Sequence, residues 1–434
     1  MHMLYPYLLR CTLLSTSLSV LTACADNHAA SQTEPPAAPV SNALVNLPTV
    51  GAVNANDFSF IAPAQSFADW QAAFRQEALN AGIQAAVFDA AFTGVSPDPA
   101  VIKADRSQPE FSRPVWEYLD GAVSAIRVRR GQALLAQHAS TLQAIEQRYG
   151  VERNALVAIW GMESNFGQYM GDKSVIAALA TLAYEGRRPA FAHEQLLAAL
   201  HILQHGDVQP SHMRGSWAGA MGQTQFIPTT YNQYAVDFDG DGRRDIWDSS
   251  ADALASAANY LQKSGWQSGQ PWGFEVALPS GFDYALADVD VRKPISEWRQ
   301  LGVKGIAAGD EQASAILLLP AGHRGPAFLV FNNFRAILKY NNSTSYGLAI
   351  GLLSDALVGK PGVHATWPRD SRQLGRSERV ELQERLTHKG YQPGAADGII
   401  GANTRKAIRA AQQSLGWPAD GYPTVKLLES LQNR

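Results

Sequence analysis

Glu163 lies on a predicted apolar helical face. Leu156, Ile159 and Trp160 recur at the spacing of an α-helix, and the glutamate follows on the same stripe one turn later. Removing a charged carboxylate from water costs several kcal/mol unless it is paired, so burial raises its pKa and the group keeps its proton near neutral pH. A general acid needs such a proton. A structural glutamate, held at a helix end by a buried arginine or by backbone amides, explains the spacing equally well.

A dense group of acidic residues occupies positions 237–248. The segment DFDGDGRRDIWD has carboxylates at loop positions 1, 3, 5, 9 and 12 and glycine at position 6, as an EF-hand calcium loop does. Carboxylates this close repel one another without a cation, so we expect a structural calcium ion rather than a metal-free Asp-Gly turn. The predicted ligands are Asp237, Asp239, Asp241, Asp245, Asp248 and, through its backbone carbonyl at position 7, Arg243. Asp248 replaces the usual glutamate, and Arg244 stands at position 8, which is normally apolar.

Three further segments follow one another in the chain. They are GMESNFG at residues 161–167, GSWAGAMGQTQFIP at residues 215–228, and KYNNS at residues 339–343 followed by Tyr346. Together they resemble the active-site motifs of the membrane-bound lytic murein transglycosylase B family, over roughly residues 60–358. The resemblance implies a lysozyme-like helical domain that cleaves the bond between N-acetylmuramic acid and N-acetylglucosamine in peptidoglycan.

The resemblance also implies roles for individual residues. In that family the glutamate that matches Glu163 is the catalytic acid and base. It protonates the glycosidic oxygen and then takes the proton of the muramyl C6 hydroxyl as that oxygen attacks C1, so a 1,6-anhydro ring forms without water. The positions that match residues lining the glycan groove are Ser216, Gln225, Tyr260, Tyr340, Asn341 and Tyr346. Arg187 and Arg188 match a pair near the peptide carboxylates of the substrate, although a solvated basic turn before Pro189 is a competing interpretation.

No second acidic residue shares a motif with Glu163. Most glycosidases use two carboxylates, but Asp172 and Glu185 lie in polar stretches of this chain. The sequence therefore favours chemistry that runs with one carboxylate. Two alternatives stay open, namely a hydrolytic muramidase with the same groove and a wall-anchoring lipoprotein without activity.

The N-terminal segment has the pattern of an export signal. Arg10 precedes an apolar run, and Leu21-Thr22-Ala23-Cys24 resembles the lipobox of bacterial lipoproteins, in which Cys24 is acylated. An ordinary secretory signal is the alternative. Only Cys11 and Cys24 are present, so the folded part of the exported chain is expected to contain neither thiol nor disulfide. We expect a lipid-anchored protein on the periplasmic side of a Gram-negative bacterium, in the outer membrane, although Asp26 close behind Cys24 leaves sorting to the inner membrane open.

The elements that must position these residues are predominantly helical. Apolar periodicity predicts helices over residues 133–149, 152–163, 193–205, 252–263 and 346–358, and short strands such as 274–278 and 315–319. Three short helices, 377–388, 404–415 and 424–431, follow near the C-terminus, separated by glycine turns. Leu382-Gln383, Gly390-Tyr391 and Asp397-Gly398 resemble the common peptidoglycan-binding module of wall enzymes, with a bare three-helix cap as the alternative.

The expected fold class is mainly α (α+β), in several parts. Residues 1–24 are the signal peptide, 25–57 a flexible linker, 58–358 the catalytic domain with its calcium loop and a small β-containing insertion, 359–376 a second linker, and 377–434 the peptidoglycan-binding domain. With 434 residues, 46% of them hydrophobic, the chain can bury a large core. A net charge of -3 gives no basis for nucleic-acid binding. The expected partners are glycan strands, a membrane through the lipid, and other cell-wall enzymes, with no organic cofactor.

Overall fold

Helices form most of the structure. The computed structural model describes residues 66–107 and 113–432, so the predicted signal peptide, Cys24 and the first linker lie outside the described residues. The helices of the first 360 residues are α1 (Phe67–Asn80), α2 (Ala85–Ala91), α3 (Pro99–Arg106), α4 (Val115–Ala122), α5 (Ala125–Gln137), α6 (Ala139–Tyr149), α7 (Arg153–Ser164), α8 (Val175–Glu185), α9 (Pro189–His205), α10 (Pro228–Tyr234), α11 (Ser250–Lys263), α12 (Ile295–Gln300), α13 (Asn332–Tyr340) and α14 (Thr344–Leu357). The mainly helical class is confirmed.

Helix α7 runs through the centre of the main hydrophobic core. Its residues Ala155 to Gly161 are all buried, and it packs against α5, α11 and α14. The apolar stripe therefore does place Glu163 inside the molecule, as its spacing predicts. Because the helix is covered on every side, the position of this carboxylate is set by the core rather than by a mobile loop.

The predicted helix over residues 133–149 is wrong in one respect. The chain forms two helices, α5 and α6, which meet at His138. The ring of His138 contacts the ring of Trp160 edge-on, with the centroids 5.5 Å apart. The apolar spacing continues across the bend, so periodicity alone does not reveal it.

The strands form two small antiparallel sheets. Strands β1 (Lys173–Ser174) and β2 (Arg214–Gly215) pair beside the second motif. Strands β3 (Gly273–Val276), β4 (Arg292–Pro294), β5 (Ser314–Leu318) and β6 (Ala327–Val330) form a four-stranded sheet in the order β3-β6-β5-β4. With α12 this sheet encloses its own core around Trp298 and Leu329. It is the β-containing insertion that the sequence predicts.

The C-terminal part consists of α15 (Arg376–His388), α16 (Ala402–Ser414) and α17 (Val425–Gln432). Their core is formed by Leu382, Leu386, Ile408 and Leu427, which are all fully buried. The buried amide of Gln383 accepts the Gly398 N–H at 2.8 Å and so ties α15 to the turn before α16. The three predicted helices are confirmed to within about two residues.

The C-terminal helices rest on the β-containing insertion. A buried ion pair joins Arg409 of α16 to Asp288, and Lys406 and Asp290 form an exposed pair beside it at 3.3 Å. Asp420 accepts the backbone N–H of His323 at 2.8 Å and also contacts its ring nitrogen. The predicted separate unit is thus docked, and all described residues belong to one compact unit.

The segment 359–375 is irregular but fixed by polar contacts. The Glu275 carboxylate accepts the N–H groups of His364 and Ala365, each at 2.7 Å. Arg369 forms an ion pair with Asp120 at 2.8 Å. Among the described helices, none is both long enough and apolar enough to cross a bilayer.

Candidate active site

Glu163 occupies the last turn of α7, which ends in an unusual way. The next three residues, Asn165, Phe166 and Gly167 after Ser164, all have positive φ angles of 49°, 61° and 79°. Non-glycine residues in this region are strained, and they persist where the surroundings dictate the backbone. Here the Phe166 ring folds back onto α7, where a Cβ on Gly161 would lie 2.7 Å from it. The first motif therefore needs its glycine to let the chain turn sharply beside the carboxylate.

The Glu163 carboxylate is buried and keeps its proton unusually well. It is 7% exposed, and burial raises the pKa of Glu163 to about 7. The Tyr346 hydroxyl donates to its Oε1 at 2.5 Å, which opposes part of that rise in pKa by stabilising the carboxylate. At neutral pH the group is therefore divided between acid and base forms, which suits a residue that must give a proton and then take one.

Two further tyrosines from the predicted groove pack against each other, and one of them, Tyr340, is close enough to feel the charge of Glu163. The Tyr340 hydroxyl donates to the Thr224 carbonyl at 2.6 Å, and the Tyr260 hydroxyl donates to the Lys339 carbonyl at 2.5 Å. Their rings meet edge-on with centroids 5.0 Å apart. Burial first, and then the charge of Glu163, raises the pKa of Tyr340 well above its ordinary value, so its hydroxyl stays protonated.

Tyr118 joins the site although the sequence analysis missed it. This residue lies on α4, outside the three motifs. Burial, followed by the negative charge of Glu163, raises the pKa of Tyr118 to about 12, which places its phenol within electrostatic range of the carboxylate. The charge of Arg127 on α5 acts in the opposite direction on the same phenol. No local sequence pattern marks this residue, because α4 approaches α7 only in the folded chain.

The second motif forms a tight loop beneath the groove. The Ser216 hydroxyl accepts the N–H groups of Ala218 and Ala220 at 3.3 and 3.0 Å. Gln225 has a φ of 52°, and its side-chain amide donates to the carbonyls of Met170 and Gly222 at 3.0 and 2.8 Å. Both predicted groove residues thus also hold the loop in shape. The hydroxyl proton of Ser216 remains available for a substrate oxygen.

Gln223 connects this loop to two other parts of the site and was also missed. Its buried side-chain carbonyl accepts the indole N–H of Trp160 at 2.9 Å, and its amide donates to the Trp247 carbonyl at 3.0 Å. A Cβ on Gly167 would lie 2.9 Å from the same side-chain oxygen. Gln223 therefore joins α7, the turn after Glu163 and the acidic segment through one amide.

The remaining predicted groove residues lie at the end of α13 and on the turn between α8 and α9. Asn341 directly follows Tyr340 at the end of α13. Arg187 and Arg188 lie exposed on the turn between α8 and α9, where Arg187 pairs with Asp105 at 3.3 Å. The Arg188 guanidinium lies 4.6 Å from the centre of the Phe191 ring. Both arginines thus have partners within the protein, as the interpretation of a basic turn requires.

The acidic segment brings together a different set of carboxylates from the predicted one. Oxygens of Asp237, Asp239 and Asp252 lie within 4.8 Å of one another. Asp252, on α11, is fully buried and accepts the N–H groups of Phe238 and Asp245 at 2.8 and 2.9 Å. It lies beyond the twelve-residue loop template, so the loop pattern alone does not indicate it. Three carboxylates with one buried are suited to a hard divalent cation.

The other predicted ligands have different contacts. Asp248 is exposed and pairs with His212 at 3.0 Å, and Asp241 pairs with Arg243 at 3.0 Å. One oxygen of the buried Asp245 accepts the N–H groups of Trp247 and Asp248, each at 2.9 Å. Arg244, the departure at position 8, forms a buried ion pair with Asp207 at 2.6 Å. The structure therefore groups Asp237 and Asp239 with Asp252, and not with Asp241 or Asp248.

This arrangement suits acid–base catalysis on a glycan. One carboxyl group with a pKa near neutrality lies among tyrosine hydroxyls, and no other acidic residue in the described ranges perturbs its pKa. Neutral hydroxyls and aromatic rings are well suited to bind sugar hydroxyls and sugar faces. The fold and the site together are of the class expected for an enzyme that cleaves polysaccharide by acid–base catalysis.

Comparison with known proteins identifies the family. Residues 66–355 match the transglycosylase SLT domain, and residues 375–431 match a peptidoglycan binding domain. The membrane-bound lytic murein transglycosylase B of Escherichia coli (strain K12) is 32% identical over 263 residues, which cover 58% of this chain and 69% of that protein. The chain therefore belongs to the SLT transglycosylase family and is a peptidoglycan lytic transglycosylase.

Two solved structures are also similar. SltB3 from Pseudomonas aeruginosa, in complex with NAG-anhNAM-pentapeptide, has 66% sequence identity and a TM-score of 0.83, over 85% of this chain and 100% of that chain. The Escherichia coli lytic transglycosylase Slt35, in complex with calcium, has 29% identity and a TM-score of 0.57, over 66% of this chain and 92% of that chain. The resemblance found in the sequence is confirmed by these matches.

Proposed function

We propose that Glu163 alone supplies both proton transfers of the transglycosylase reaction. The observation that carries this proposal is its pKa of about 7 in a buried site. The protonated Glu163 donates to the glycosidic oxygen as the bond to the muramyl C1 breaks. The resulting carboxylate takes the proton of the C6 hydroxyl while that oxygen bonds to C1. The substrate's own acetamido oxygen can stabilise the positive centre between these steps, so no second carboxylate is needed.

The tyrosines and the second-motif loop would form the groove around this centre. Tyr346 donates to one oxygen of Glu163, which leaves the other oxygen to carry the proton toward the glycan. Tyr260, Tyr340, Ser216, Gln225 and Asn341 are proposed to contact the sugars. Tyr118 belongs in the same set because it shares the electrostatic environment of Glu163. Arg187 and Arg188 are retained as candidates for the peptide carboxylates of the substrate.

A calcium ion is proposed for the acidic segment, with a structural role. The grouping of Asp237, Asp239 and the buried Asp252 supports it, and the calcium complex of Slt35 is consistent with it. Carboxylate oxygens are the ligands that calcium prefers. The backbone carbonyl of Arg243 and the carboxylates of Asp241, Asp245 and Asp248 remain candidates for further ligands. Bound calcium would hold the start of α11, which carries Tyr260, against the second-motif loop.

A lipid anchor at Cys24 is proposed to hold the enzyme on the periplasmic side of a membrane. The lipobox-like residues 21–24 support it, together with the membrane-bound name of the Escherichia coli relative. The outer membrane is the proposed site. Replacing Cys24 by alanine should move the protein from the membrane to the aqueous fraction of lysed cells. Unchanged membrane association of the Cys24→Ala protein would contradict acylation at this residue.

Mass spectrometry of the products tests the catalytic proposal. Wild-type enzyme on purified sacculi should release muropeptides that are one water lighter than hydrolysis products. Glu163→Gln keeps the shape of the side chain but has no proton to give, so the rate should fall by at least ~10²–10⁴-fold. Glu194→Gln, at an exposed position on α9, is the matched control and should retain the rate. Hydrated ends would indicate a hydrolase instead, and a folded, fully active Glu163→Gln enzyme would remove Glu163 from the mechanism.

A further inference from the structure

A lone aromatic side chain lies exposed close behind the catalytic turn. Tyr169 is 49% exposed, whereas every other Phe, Tyr and Trp in the described ranges is at least partly buried. Among the residues that the structure describes, no second ring contacts the ring of Tyr169, and no group forms a hydrogen bond with its hydroxyl. The ring therefore forgoes most of the stabilisation that burial of an aromatic side chain provides.

The backbone around Tyr169 connects the catalytic turn to the second-motif loop. We call residues 168–171 the rim loop. The Tyr169 N–H donates to the carbonyl of Ser164 at 2.9 Å, and Ser164 directly follows Glu163. One residue further on, the Met170 carbonyl accepts the side-chain amide of Gln225 at 3.0 Å. Both neighbours of the rim loop thus belong to the proposed groove.

The end of the rim loop lies directly against the second motif. Gly171 has a φ of 90°, and a Cβ at this position would lie 2.1 Å from the carbonyl oxygen of Gly215 and 2.6 Å from the backbone nitrogen of Ser216. Only glycine permits so close an approach. Backbone contacts therefore hold Tyr169 at the rim of the groove, between Glu163 and Ser216, and its side chain is not needed for this placement.

The surroundings of the exposed ring are polar. Gln168, Gly171 and Asp172 are all exposed, and the Gln168 side chain accepts the amide of Asn165 at 2.8 Å. The ring is thus a small apolar surface with polar groups at its border. Protein interfaces need much larger apolar patches, so this surface is too small for a protein partner. It is of the size of a single sugar ring.

We propose that Tyr169 binds the glycan strand by stacking its ring against the face of one sugar at the rim of the groove, an inference that rests on the proposed function. One face of a pyranose ring presents C–H groups, whose slight positive charge is attracted to the negative face of an aromatic ring. The hydroxyl groups at the sugar edge stay in contact with water and with polar side chains. An isolated ring with a polar border suits both parts of the sugar.

Steady-state kinetics of Tyr169→Ala with peptide-free glycan chains test this proposal. The stacked sugar is bound in the same way before and during bond cleavage, so the contact should stabilise the ground state and the transition state equally. Loss of the ring should therefore raise KM about three- to tenfold and leave kcat unchanged. Because these chains carry no peptide, the effect cannot come from the stem peptide.

Two further substitutions separate stacking from other contacts of the same side chain. Tyr169→Phe keeps the ring and should bind glycan as the wild-type residue does. Tyr169→Leu keeps an apolar side chain without an aromatic face, so it should bind as weakly as Tyr169→Ala. Calorimetry with peptide-free glycan measures these affinities in the Glu163→Gln protein, in which the strand stays intact. Val289→Ala, at a 63% exposed position on the β-containing insertion, is the matched control and should bind normally.

The possible results keep this proposal apart from the catalytic one. Wild-type KM in Tyr169→Ala would overturn the proposal. Weak binding by Tyr169→Phe would assign the contact to the hydroxyl, and normal binding by Tyr169→Leu would leave only a general apolar contact, so either result overturns the stacking. A lower kcat with unchanged KM in Tyr169→Ala would also overturn it, in favour of a role in shaping the catalytic turn. Failure of the wild type to cleave any glycan would instead contradict the proposed function.

Discussion

Glu163 keeps its proton up to near-neutral pH because burial disfavours the charged carboxylate. In the part of the chain that the structure describes, the hydrogen bond from Tyr346 lowers the pKa of this group, and burial outweighs it. Without the hydroxyl, the carboxylate form would lose its donor and the pKa would move further up. The balance of these two effects places the group near the middle of its titration at neutral pH.

The Tyr346→Phe variant tests this balance. Deprotonation of Glu163 in the free enzyme should produce the alkaline limb of kcat/KM, near pH 7 in the wild type. Loss of the donor should move that limb to higher pH. Tyr340→Phe is the matched control, because the Tyr340 hydroxyl donates to the Thr224 carbonyl and not to Glu163. A limb that is identical in wild type and Tyr346→Phe would show that this hydrogen bond does not set the pH response.

The same burial should reduce stability at high pH. The pKa of Glu163 rises from 4.5 in the unfolded reference to about 7 in the folded protein. The folded state then binds more protons between these values, so the free energy of unfolding falls as pH rises from 4.5 to 7, by up to about 3 kcal/mol. Glu163→Gln carries no such charge, so denaturant unfolding should find it more stable than wild type at pH 8 and nearly equal at pH 4.5. The same difference in unfolding free energy between the two proteins at pH 4.5 and at pH 8 would contradict a raised pKa of Glu163.

At the scale of elements, the acidic segment and α11 behave as one unit. Asp252 on α11 accepts backbone N–H groups from the segment and contributes one of the three grouped carboxylates. Burial raises the pKa of Asp252 above its ordinary value. A cation beside it would favour the charged form and so remove this cost of burial.

Calcium binding should therefore depend on Asp252 more than on Asp248. Calcium at about 100-fold above its Kd should stabilise the wild type by roughly 2.7 kcal/mol. Asp252→Asn keeps one oxygen for the N–H groups of Phe238 and Asp239, but it loses the charge and the oxygen that accepts the Asp245 N–H. The stabilisation by calcium should therefore largely vanish. Asp248→Asn, at an exposed position paired with His212, should retain most of it. Thermal unfolding with calcium and with a chelator measures this stabilisation. Undiminished stabilisation of Asp252→Asn by calcium would contradict the grouping of Asp237, Asp239 and Asp252.

Sequence motifs predict features that neighbouring residues form. They do not reveal residues that the fold brings together from distant parts of the chain. Glu163 follows an apolar helical stripe, and the turn after it lies in the same short motif, so both were accessible from sequence. Tyr118 comes from a helix without a motif, and Asp252 lies beyond the loop template. The bend at His138, whose ring contacts Trp160, is not encoded by apolar spacing. Similarly, the three C-terminal helices were predictable, but their docking through Asp288 and Arg409 was not.

At the scale of the whole molecule, the wall-binding helices are held in a defined place relative to the catalytic part. The ion pair of Arg409 and Asp288 is buried on both sides, and Asp420 adds contacts to His323. A buried pair contributes little net stability, but loss of one partner leaves an uncompensated charge. The docked position therefore depends on both members being present.

Single and double variants of this pair test the docking. Arg409→Ala should expose the segment 359–375 to limited proteolysis. The Asp288 carboxylate, buried without its partner, favours separation of the C-terminal helices from the β-containing insertion. Adding Asp288→Ala should restore part of the protection, since neither charge is then unpaired. Lys406→Ala removes only an exposed pair, so it is the matched control and should change little. Equal proteolysis of wild type and Arg409→Ala would show that the ion pair does not hold the docked state.

The amide of Gln223 has a thermodynamic consequence for the proposed metal site. It joins Trp160 on α7 to Trp247 within the acidic segment, so a sugar in the proposed groove and a cation in the segment would act on a shared set of atoms. Coupling between two sites is reciprocal: by whatever factor calcium tightens glycan binding, bound glycan tightens calcium binding. Calcium titrations of the Glu163→Gln protein with and without glycan should show this change, and Gln223→Leu should abolish it. The enzyme would then bind calcium most tightly while a glycan strand occupies the groove, and least tightly when the groove is empty.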